Sequence, residues 1–542
     1  MNKKHLLYSI ISGLLLGFSW PVNGIVFLIF IAFVPLLIVE NKLRHKSIKK
    51  IFTYSFLSFF IWNTITCWWI IYSTVFGMIF AILLYSFLMA LVFSSYSLIS
   101  KKIGNKLGLI YFISSWIVFE KFNLTWDFSW PSLVLGNVFS ESHYLIQWFE
   151  YTGSFGGTLW VLIVNLLFYK AYSNYILKKN NYLKTFSISL LNVSIPIIIS
   201  LIIYNNQTIS ENSINISIIQ PNIDPYNEKY GRTNFNILKE FKQITSHRVF
   251  NNKIIFTPET YFSESPGYSM TDFFETPFYQ DLNSYLNSKN SQLISGIQFY
   301  KIYNSKLTKT NSSNYIKDSI WLDIYNSSFI NSNQKQIYHK SKLVVGVENI
   351  PYKQILEPVL GNLLLDFGGT IMSRATQTNR TVFTTNDNNK IAPIICYESM
   401  YGEYINEYVR NGAQFLAIIT NDGWWNNSPG HKQLLSYSKI RAIESRRDIA
   451  RSANTGISAV INKRGDVLKT IGYNESGVIN SYINLSNQIT FYVKYGDYIY
   501  RIALFFFLII VLFYFTKKNN IKFFFKTLHE SIKNLFLQIL KI

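Results

Sequence analysis

The chain has 542 residues, of which 49% are hydrophobic and only 15% are charged, and its formal net charge at pH 7 is +21. So small a charged fraction excludes an ordinary soluble protein, and the length allows more than one domain. The positive charge does not indicate a nucleic-acid partner, because most basic clusters lie next to apolar runs.

Eight apolar runs predict membrane-spanning helices, since about 20 apolar residues are enough to cross a bilayer. The stretch from Ile51 to Ser100 contains no Lys, Arg, Asp or Glu, and it predicts two spans with a tight turn near Ser73. The predicted spans are 7–21, 23–40, 51–72, 75–98, 107–120, 158–177, 185–204 and 499–516.

The basic residues predict the orientation of these helices. Lys and Arg cluster before the first span, after the last one, and in every second turn, whereas the other turns contain almost none. Under the positive-inside rule, both termini then lie in the cytoplasm. The basic start followed by an apolar run also resembles a secretory signal, but no clean cleavage site follows, and we expect an uncleaved anchor.

The predicted domains follow from these spans. Seven helices occupy 1–205, a soluble domain occupies 206–498, and the eighth helix is 499–516. The tail, 517–542, has basic and apolar faces at helical spacing and predicts an interfacial helix on the cytoplasmic surface. The soluble domain lies on the opposite side, which in a bacterium with two membranes is the periplasm, so we expect a multi-pass protein of the inner membrane.

The soluble segment predicts a layered α/β domain, because short runs rich in Ile and Val alternate with helical stretches. Gly465 in "NKRGDV" predicts a turn between two strands. The predicted strands are 213–220, 252–259, 291–298, 319–325, 392–398, 414–422, 449–454 and 456–462, and the predicted helices are 233–246, 281–289 and 431–447.

Three polar residues lie where such a domain can bring them together. Glu259 and Cys396 end apolar strands, in "IIFTPET" and "PIICYES", and Lys340 lies in "YHKSKLVV". Catalytic groups of open α/β folds gather at strand ends. Taken singly, each has a structural explanation: a capping carboxylate, a surface charge, and a cysteine packed as a small hydrophobe. Together they supply a base, a cation and a thiol, which suits acyl transfer through a thioester.

The order Glu, Lys, Cys in an α/β segment resembles the nitrilase (carbon–nitrogen hydrolase) superfamily. With eight membrane helices, the chain resembles the apolipoprotein N-acyltransferase family over nearly its whole length. This resemblance implies an αββα sandwich for the soluble domain. The matching motifs are "GLLLGFSWP" (13–21), "PLL" (35–37), "FSWPSLVLGN" (128–137), "QPNID" (220–224), "TPET" (257–260), "YHKSKLV" (338–344), "ICYES" (395–399), "TNDGWW" (420–425) and "RAIESRR…ARSANTGISAVIN" (441–462).

The resemblance implies a role for each candidate. Cys396 is the expected nucleophile, Glu259 the general base, and Lys340 the group that stabilises the oxyanion. Glu348 and Glu398 are expected as supporting carboxylates near this centre.

Further residues are expected around it. Tyr397 is expected beside the nucleophile, where it shapes the acyl pocket. Asn421, Asp422 and Trp424 belong to a matching loop. Trp424 and Trp425 are candidates for lining a lid, although interfacial packing explains them equally well.

The chain also departs from the family pattern. Thr257 stands where a Trp is usual, "VVGVE" (344–348) replaces "VPFGE", and Leu434 stands where a His is usual, with His431 nearby. These departures leave the lining of the pocket and the acyl-chain preference open.

The implied reaction is a ping-pong transfer. Cys396 takes an acyl chain from a membrane phospholipid and passes it to the α-amine of an apolipoprotein's N-terminal diacylglyceryl-cysteine. No metal or diffusible cofactor is expected. A membrane-anchored amidase that uses the same three residues with water as acceptor is the alternative. A transporter with a periplasmic receptor domain is disfavoured, because the third and fourth spans carry no ionisable residue.

Overall fold

The structure is a computed structural model that describes residues 2–207, 212–225, 228–229, 231–249, 253–353 and 373–516. The predicted C-terminal tail therefore lies outside the described residues. The first half of the chain is helical: α1 (Lys3–Phe18), α2 (Val34–Leu43), α3 (Ile48–Cys67), α4 (Val75–Ile103), α5 (Asn105–Asn123), α6 (Phe149–Thr152), α7 (Ser154–Ile176) and α8 (Tyr182–Asn206).

Six helical segments of the described chain are long and apolar enough to cross a membrane: Val26–Leu43, Ile48–Tyr72, Val75–Ile103, Ser154–Ile176, Tyr182–Asn206 and Tyr498–Thr516. Two further helices, α1 and α5, coincide with the predicted spans 7–21 and 107–120 but are not long and apolar enough to be counted among these six. Helix α1 has only 16 residues, and α5 carries Glu120 and Lys121 near its end. The count of eight spans therefore remains a prediction. The predicted turn near Ser73 is present, because one helical turn ends at Tyr72 and α4 begins at Val75.

The second half of the chain contains two β-sheets. Its strands are β1 (Ser213–Gln220), β2 (Ile254–Phe256), β3 (Tyr268–Ser269), β4 (Gln292–Tyr303), β5 (Asn314–Lys317), β6 (Ile320–Asn331), β7 (Lys335–His339), β8 (Arg374–Ala375), β9 (Phe383–Thr384), β10 (Lys390–Ile395), β11 (Phe415–Thr420), β12 (Ile449–Ala453), β13 (Ser458–Ile461), β14 (Val467–Ile471) and β15 (Gly477–Asn484). Its helices are α9 (Asn234–Arg248), α10 (Pro277–Ser288), α11 (Gly402–Arg410), α12 (Pro429–Ser445) and α13 (Phe491–Tyr495), and α14 (Tyr498–Thr516) follows.

The larger sheet has the order β15-β1-β2-β4-β6-β5, with β3 paired to β4 and both β7 and β8 paired to β6. The smaller sheet has the order β14-β13-β12-β11-β10-β9. The central pairs β1–β2, β2–β4, β10–β11 and β11–β12 are parallel. The carboxyl end of β2 therefore lies at the same sheet edge as those of β1 and β4. The carboxyl end of β10 likewise lies beside those of β11 and β12, and such edges are where functional groups of α/β folds gather.

The two sheets pack face to face between two helical layers. Ile218 and Phe256 of the larger sheet share one buried cluster with Ile394 and Ile418 of the smaller sheet. Helices α9 and α10 cover the outer face of the larger sheet, and α11 packs on the smaller sheet through residues such as Ile405. The domain is thus an αββα sandwich, as the resemblance implied. The predicted turn at Gly465 is also present, with φ +90° between β13 and β14.

Helix α12 joins this domain to the membrane helices. Its Ile440 and Ile443 belong to the buried cluster of the helical half. Gln433 Nε2 donates to the main-chain oxygen of Pro21 (2.9 Å), and Tyr437 OH accepts from Trp20 Nε1 (3.2 Å). These contacts connect the α/β sandwich to the helical half of the chain.

Candidate active site

Cys396 lies at the end of β10, on the first residue of a one-turn helix, Cys396–Met400. Its φ is +51°, in the left-handed region that non-glycine residues rarely adopt. Two hydrogen bonds hold this turn: Glu398 Oε2 accepts from the Ile395 amide (2.8 Å), and Ser399 Oγ donates to the Cys396 oxygen (2.7 Å). Such strained positions persist only where the surroundings fix them.

Glu398 is fully buried and is held entirely by donors. Its Oε1 accepts from Tyr338 OH (2.6 Å), Tyr404 OH (2.5 Å) and the Ser341 amide (2.7 Å). Burial raises the pKa of this carboxyl above its usual value, and the four donors oppose that shift. The Glu398 side chain therefore ties the turn of Cys396 to the segment that follows Lys340.

Glu259 follows β2 in a tight turn that presses against β4. Thr260 has φ +47°, and a Cβ on Gly296 would lie 2.4 Å from the Pro258 oxygen and 2.3 Å from the Thr260 amide nitrogen. Only glycine at this position lets the turn approach so closely. The Glu259 Oε1 atom accepts from Lys340 Nζ (2.8 Å) and from Asn326 Nδ2 (2.8 Å).

Lys340 lies directly after β7 and is 1% exposed. Its Nζ lies 2.8 Å from Glu259 Oε1 and 2.8 Å from Glu348 Oε2. Burial by itself would lower its pKa, but the two carboxylates hold it well above the usual value. Burial likewise opposes ionisation of Glu348, and the Lys340 ammonium nevertheless lowers its pKa. The site therefore favours the charged ammonium form of Lys340, which lies between Glu259 and Glu348.

The Cys396 thiol is buried beside these charges. Burial raises its pKa, the Glu259 carboxylate raises it further, and Lys340 opposes the shift. The thiol consequently keeps its proton at neutral pH until a base removes it. Glu259 is the carboxylate whose charge acts most strongly on the thiol, and the arrangement can therefore support base-assisted nucleophilic attack.

Two residues of this site were not predicted from the sequence. Asn326 lies within β6 and donates to both Glu259 Oε1 and Glu348 Oε1 (2.8 and 2.9 Å). Lys229 is 4% exposed and donates to the Glu259 main-chain oxygen (3.2 Å). Burial lowers the pKa of Lys229 to about 8. The one available signal for Lys229 was its position shortly after the "QPNID" motif.

An apolar cavity of about 320 Å³ lies between the membrane helices and the catalytic domain. Tyr397, the neighbour of Cys396, lines it, and so does Trp425. Val344 to Val347, which directly precede Glu348, form another part of the wall. The membrane side is formed by side chains of α4 and the turn before it, such as Trp69, Phe76, Phe80, Ala81 and Leu84.

The loop 421–425 contributes unequally to this cavity. Trp425 lines it and contacts Trp69 edge to face (5.1 Å between ring centroids), whereas Trp424 and Asn421 do not line it. The Asn421 amide can be oriented so that its oxygen accepts from Lys229 Nζ (2.8 Å) and Trp424 Nε1 (3.2 Å). Asn421 and Trp424 therefore lie on the Lys229 side of the site. Asp422 is fully buried and pairs with Arg451 (2.7 Å), which anchors the loop.

The residues that depart from the family pattern make specific contacts in the structure. Thr257 Oγ1 donates to Ser295 Oγ (2.6 Å) within the larger sheet. Leu434 lines the apolar cavity, whereas His431 stacks on Tyr473 (4.6 Å between centroids). The "VVGVE" segment ends in Glu348, which contacts Lys340. Its first residue holds that carboxylate, because the Val344 amide donates to Glu348 Oε2 (2.9 Å).

Comparisons with known proteins agree with this architecture. The family model of the apolipoprotein N-acyltransferase N-terminal domain matches residues 12–167, and that of the carbon-nitrogen hydrolases matches residues 248–490. An apolipoprotein N-acyltransferase of Chlorobaculum tepidum is 27% identical over 520 residues, covering 91% of this chain and 93% of the relative. One of Thermotoga maritima is 24% identical over 528 residues and covers 92% of each.

Among solved structures, Saccharomyces cerevisiae Nit3, a member of branch 10 of the nitrilase superfamily, is similar to 51% of this chain over 92% of its own length, with a TM-score of 0.35 and 15% identity. Both family models match in chain order, and relatives that bear one name match over more than nine-tenths of the chain. The chain is therefore similar to apolipoprotein N-acyltransferases over nearly its whole length, and its second half matches the carbon-nitrogen hydrolase family model.

Proposed function

We propose that this protein transfers a fatty acyl chain from a membrane phospholipid, through a thioester on Cys396, to the α-amino group of the N-terminal diacylglyceryl-cysteine of apolipoproteins. The family supports the N-acylation of lipoproteins. The observation that carries the finer proposal is the apolar cavity between the membrane helices and Tyr397, the residue next to the thiol.

The cavity matters because both substrates carry long acyl chains. Moving a chain from the bilayer into water costs about 0.8 kcal/mol per CH₂ group. A cavity walled by α4 on one side and by the soluble domain on the other lets a chain lie beside Tyr397, the residue next to the thiol, without that cost. A hydrolase of small soluble amides has no need of such a cavity.

The first half of the reaction begins with the protonated thiol. Glu259 accepts the proton as Cys396 Sγ attacks the ester carbonyl carbon, and the Lys340 ammonium stabilises the oxyanion. The intermediate collapses when the ester C–O bond breaks. The departing glycerol oxygen takes the proton from Glu259, which leaves a lysophospholipid and the acylated thiol.

The second half uses the same groups, with the lipoprotein amine as the nucleophile and the Cys396 thiolate as the leaving group. The free α-amine of the lipoprotein attacks the thioester carbonyl, Glu259 accepts a proton from the amine, and Lys340 again stabilises the oxyanion. The C–S bond breaks, and Cys396 regains its proton from Glu259. Glu348 and Asn326 hold Lys340 and Glu259 in place through both halves.

The orientation in the membrane belongs to the same proposal. The basic turns support an orientation with both termini in the cytoplasm and the sandwich on the periplasmic side of the inner membrane. Lipoproteins then meet the site on the side where their N-terminal lipids are anchored. Reaction of a substituted cysteine with a membrane-impermeant maleimide in whole cells tests this orientation: a cysteine at the exposed Asn474 of the sandwich must react, so no reaction there contradicts it.

Two sequential incubations test the function. Protein supplied with acyl-labelled phospholipid and then with a diacylated lipopeptide is expected to give a labelled triacylated peptide, and Cys396→Ala is expected to give none. A wild-type protein that leaves the lipopeptide unacylated contradicts the proposal. Hydrolysis of small amides without lipopeptide acylation would favour the amidase instead.

A further inference from the structure

The one-turn helix that presents Cys396 lies between two cavities of opposite character. The first is the apolar cavity. The second, which we call the basic cavity, has a volume of about 360 Å³ and lies where α5 ends and α14 begins, below the catalytic domain. Tyr397 lines the apolar cavity, Tyr401 lines the basic cavity, and Met400 lines both. The rings of Tyr397 and Tyr401 touch edge to face, 5.5 Å between centroids.

The walls of the basic cavity carry an excess of positive charge. Lys121 is neutralised there, because its Nζ lies 2.5 Å from Glu403 Oε2 and 2.7 Å from Asp497 Oδ2. The charged side chains that line the cavity are four cations, Lys121, Lys342, Arg380 and Arg410, and three carboxylates, Glu403, Glu407 and Asp497.

Among the described residues, three of these cations have no carboxylate partner: Arg410 donates to the Val493 main-chain oxygen (2.7 Å), and the other two are Lys342 and Arg380. Lys342 Nζ lies over the Tyr401 ring (4.9 Å to the centroid) and makes no hydrogen bond within the described chain. The Arg380 guanidinium lies over the Tyr404 ring (3.9 Å), and its Nε is buried without a hydrogen-bond partner. Burial lowers the pKa of Lys342, and the neighbouring Arg380 and Lys121 lower it further. Lys342 and Arg380 line the same cavity, and two cations in one cavity favour an anion between them.

We propose that the basic cavity binds the phosphate of the acyl-donor phospholipid, with Lys342 and Arg380 as its contacts; this inference rests on the proposed function. In a glycerophospholipid, the acyl esters and the phosphate are attached to the same glycerol unit. A donor whose acyl chain fills the apolar cavity and whose ester carbonyl meets Cys396 therefore places its phosphate a few bonds away, on the other side of the turn.

The chemistry of the two side chains suits this ligand. A guanidinium offers a planar fork of donors that matches phosphate oxygens, and an ammonium supplies a compact second charge. The cavity also lies where α5 ends and α14, a candidate membrane span, begins. An inorganic phosphate ion has the same charge chemistry, but it lacks the acyl chain that couples the two cavities.

Binding of a fluorescent lysophospholipid and of the monoacylglycerol with the same chain tests the proposal without requiring turnover. The wild-type protein in detergent is expected to prefer the lysophospholipid. Lys342→Gln and Arg380→Gln are each expected to weaken lysophospholipid binding about tenfold, the value of one charge-assisted hydrogen bond, and to leave monoacylglycerol binding within about twofold. Lys494→Gln is the matched control, because Lys494 also lies over a tyrosine, Tyr495 (5.1 Å), but does not line the cavity.

Two results would overturn the inference: unchanged lysophospholipid binding in both variants, or equal weakening for both lipids. Binding of millimolar inorganic phosphate that both variants lose, while they bind lysophospholipid as the wild type does, would assign the cavity to free phosphate. A phosphate preference in a wild-type protein that never acylates Cys396 would instead refute the proposed function and leave the binding site standing.

Discussion

Among single residues, Lys340 is central to the proposed chemistry, because its buried ammonium is shared by two carboxylates. Lys340 Nζ contacts a carboxylate oxygen of Glu259 and one of Glu348 at 2.8 Å each. A buried charge is tolerated only when it is paired and hydrogen-bonded. In the proposed mechanism, the second carboxylate lets Lys340 stay charged while Glu259 exchanges protons with the thiol and the substrates.

Glu348→Gln tests this sharing. A glutamine amide would turn its NH₂ group either toward Asn326 Nδ2 or toward Lys340 Nζ and the Val344 amide, and all three of these groups are donors. We expect the rate of Cys396 acylation to fall about 100-fold, as for loss of one electrostatic stabiliser. Rapid-quench measurement of the labelled enzyme checks this, with Glu475→Gln in an exposed turn as control. A rate within twofold of the wild type would show that Glu348 is dispensable.

Lys229 gives a prediction for pH. Its pKa is lowered from 10.5 to about 8 by burial, so between these values the unfolded chain binds more protons than the folded one. The free energy of unfolding of the wild type must then rise with pH relative to Lys229→Met, by up to about 3 kcal/mol between pH 8 and 10.5. Unfolding measured across this range checks the sign. If the difference in free energy of unfolding between the two proteins does not change with pH, the lowered pKa of Lys229 is contradicted. Lys469→Met, a substitution at an exposed lysine, is the control.

At the scale of elements, strand ends and the turns after them position the chemistry. The Glu259 turn requires the absence of a side chain at Gly296 on β4. Gly296→Ala is expected to displace this turn and to reduce Cys396 acylation at least tenfold, because misplacement by about 1 Å can cost two orders of magnitude. Gly472→Ala is the control, since its nearest neighbour is the flexible end of Glu475. Normal acylation by folded Gly296→Ala protein would refute the role of this close approach.

The sequence predicted the apolar elements well and the polar ones poorly. The runs that became β1, β4, β11 and β12 are rich in Ile and Val, and burial on both faces makes such strands recognisable. Strand β15, "GVINSYIN", alternates polar and apolar residues and was not predicted, although it pairs with β1 along its whole length. Its strand conformation depends on that long-range pairing, which local sequence does not encode.

Some residues of the candidate site could be predicted from local sequence motifs, and others could not. Glu259, Lys340 and Cys396 lie in recognisable motifs next to apolar strands, and the structure brings the first two into contact. Asn326 and Lys229 carry no local signature, because their importance arises only when distant segments meet at Glu259. The catalytic roles themselves remain predictions that the experiments above address.

At the scale of the whole molecule, the protein is a catalytic sandwich fixed onto a helical bundle. Helix α12 joins the two, and Arg446 at its end pairs with Glu150 before α7 (2.7 Å). The apolar cavity lies at this junction and is walled by both halves. Its size, and not the catalytic residues, should therefore determine which acyl chains are transferred.

Ala81→Phe tests the role of the cavity. Ala81 of α4 lines it, and a phenyl ring there would displace part of a bound chain. We expect long-chain donors to lose about tenfold in kcat/KM, equivalent to roughly two CH₂ groups, while short-chain donors are little affected. Leu91→Phe, at a lipid-facing position of the same helix, is the matched control. An equal loss for all chain lengths would show that the cavity does not hold the acyl chain.

The central claim is that Cys396 carries the acyl group between donor and acceptor. Intact-mass and peptide mass spectrometry of protein incubated with phospholipid vesicles, in the absence of any lipoprotein, tests it most directly. We expect one added acyl group on the peptide that contains Cys396, and we expect hydroxylamine to remove it and Cys396→Ser to lack it. An unmodified Cys396 in protein that nevertheless acylates lipopeptides would contradict it.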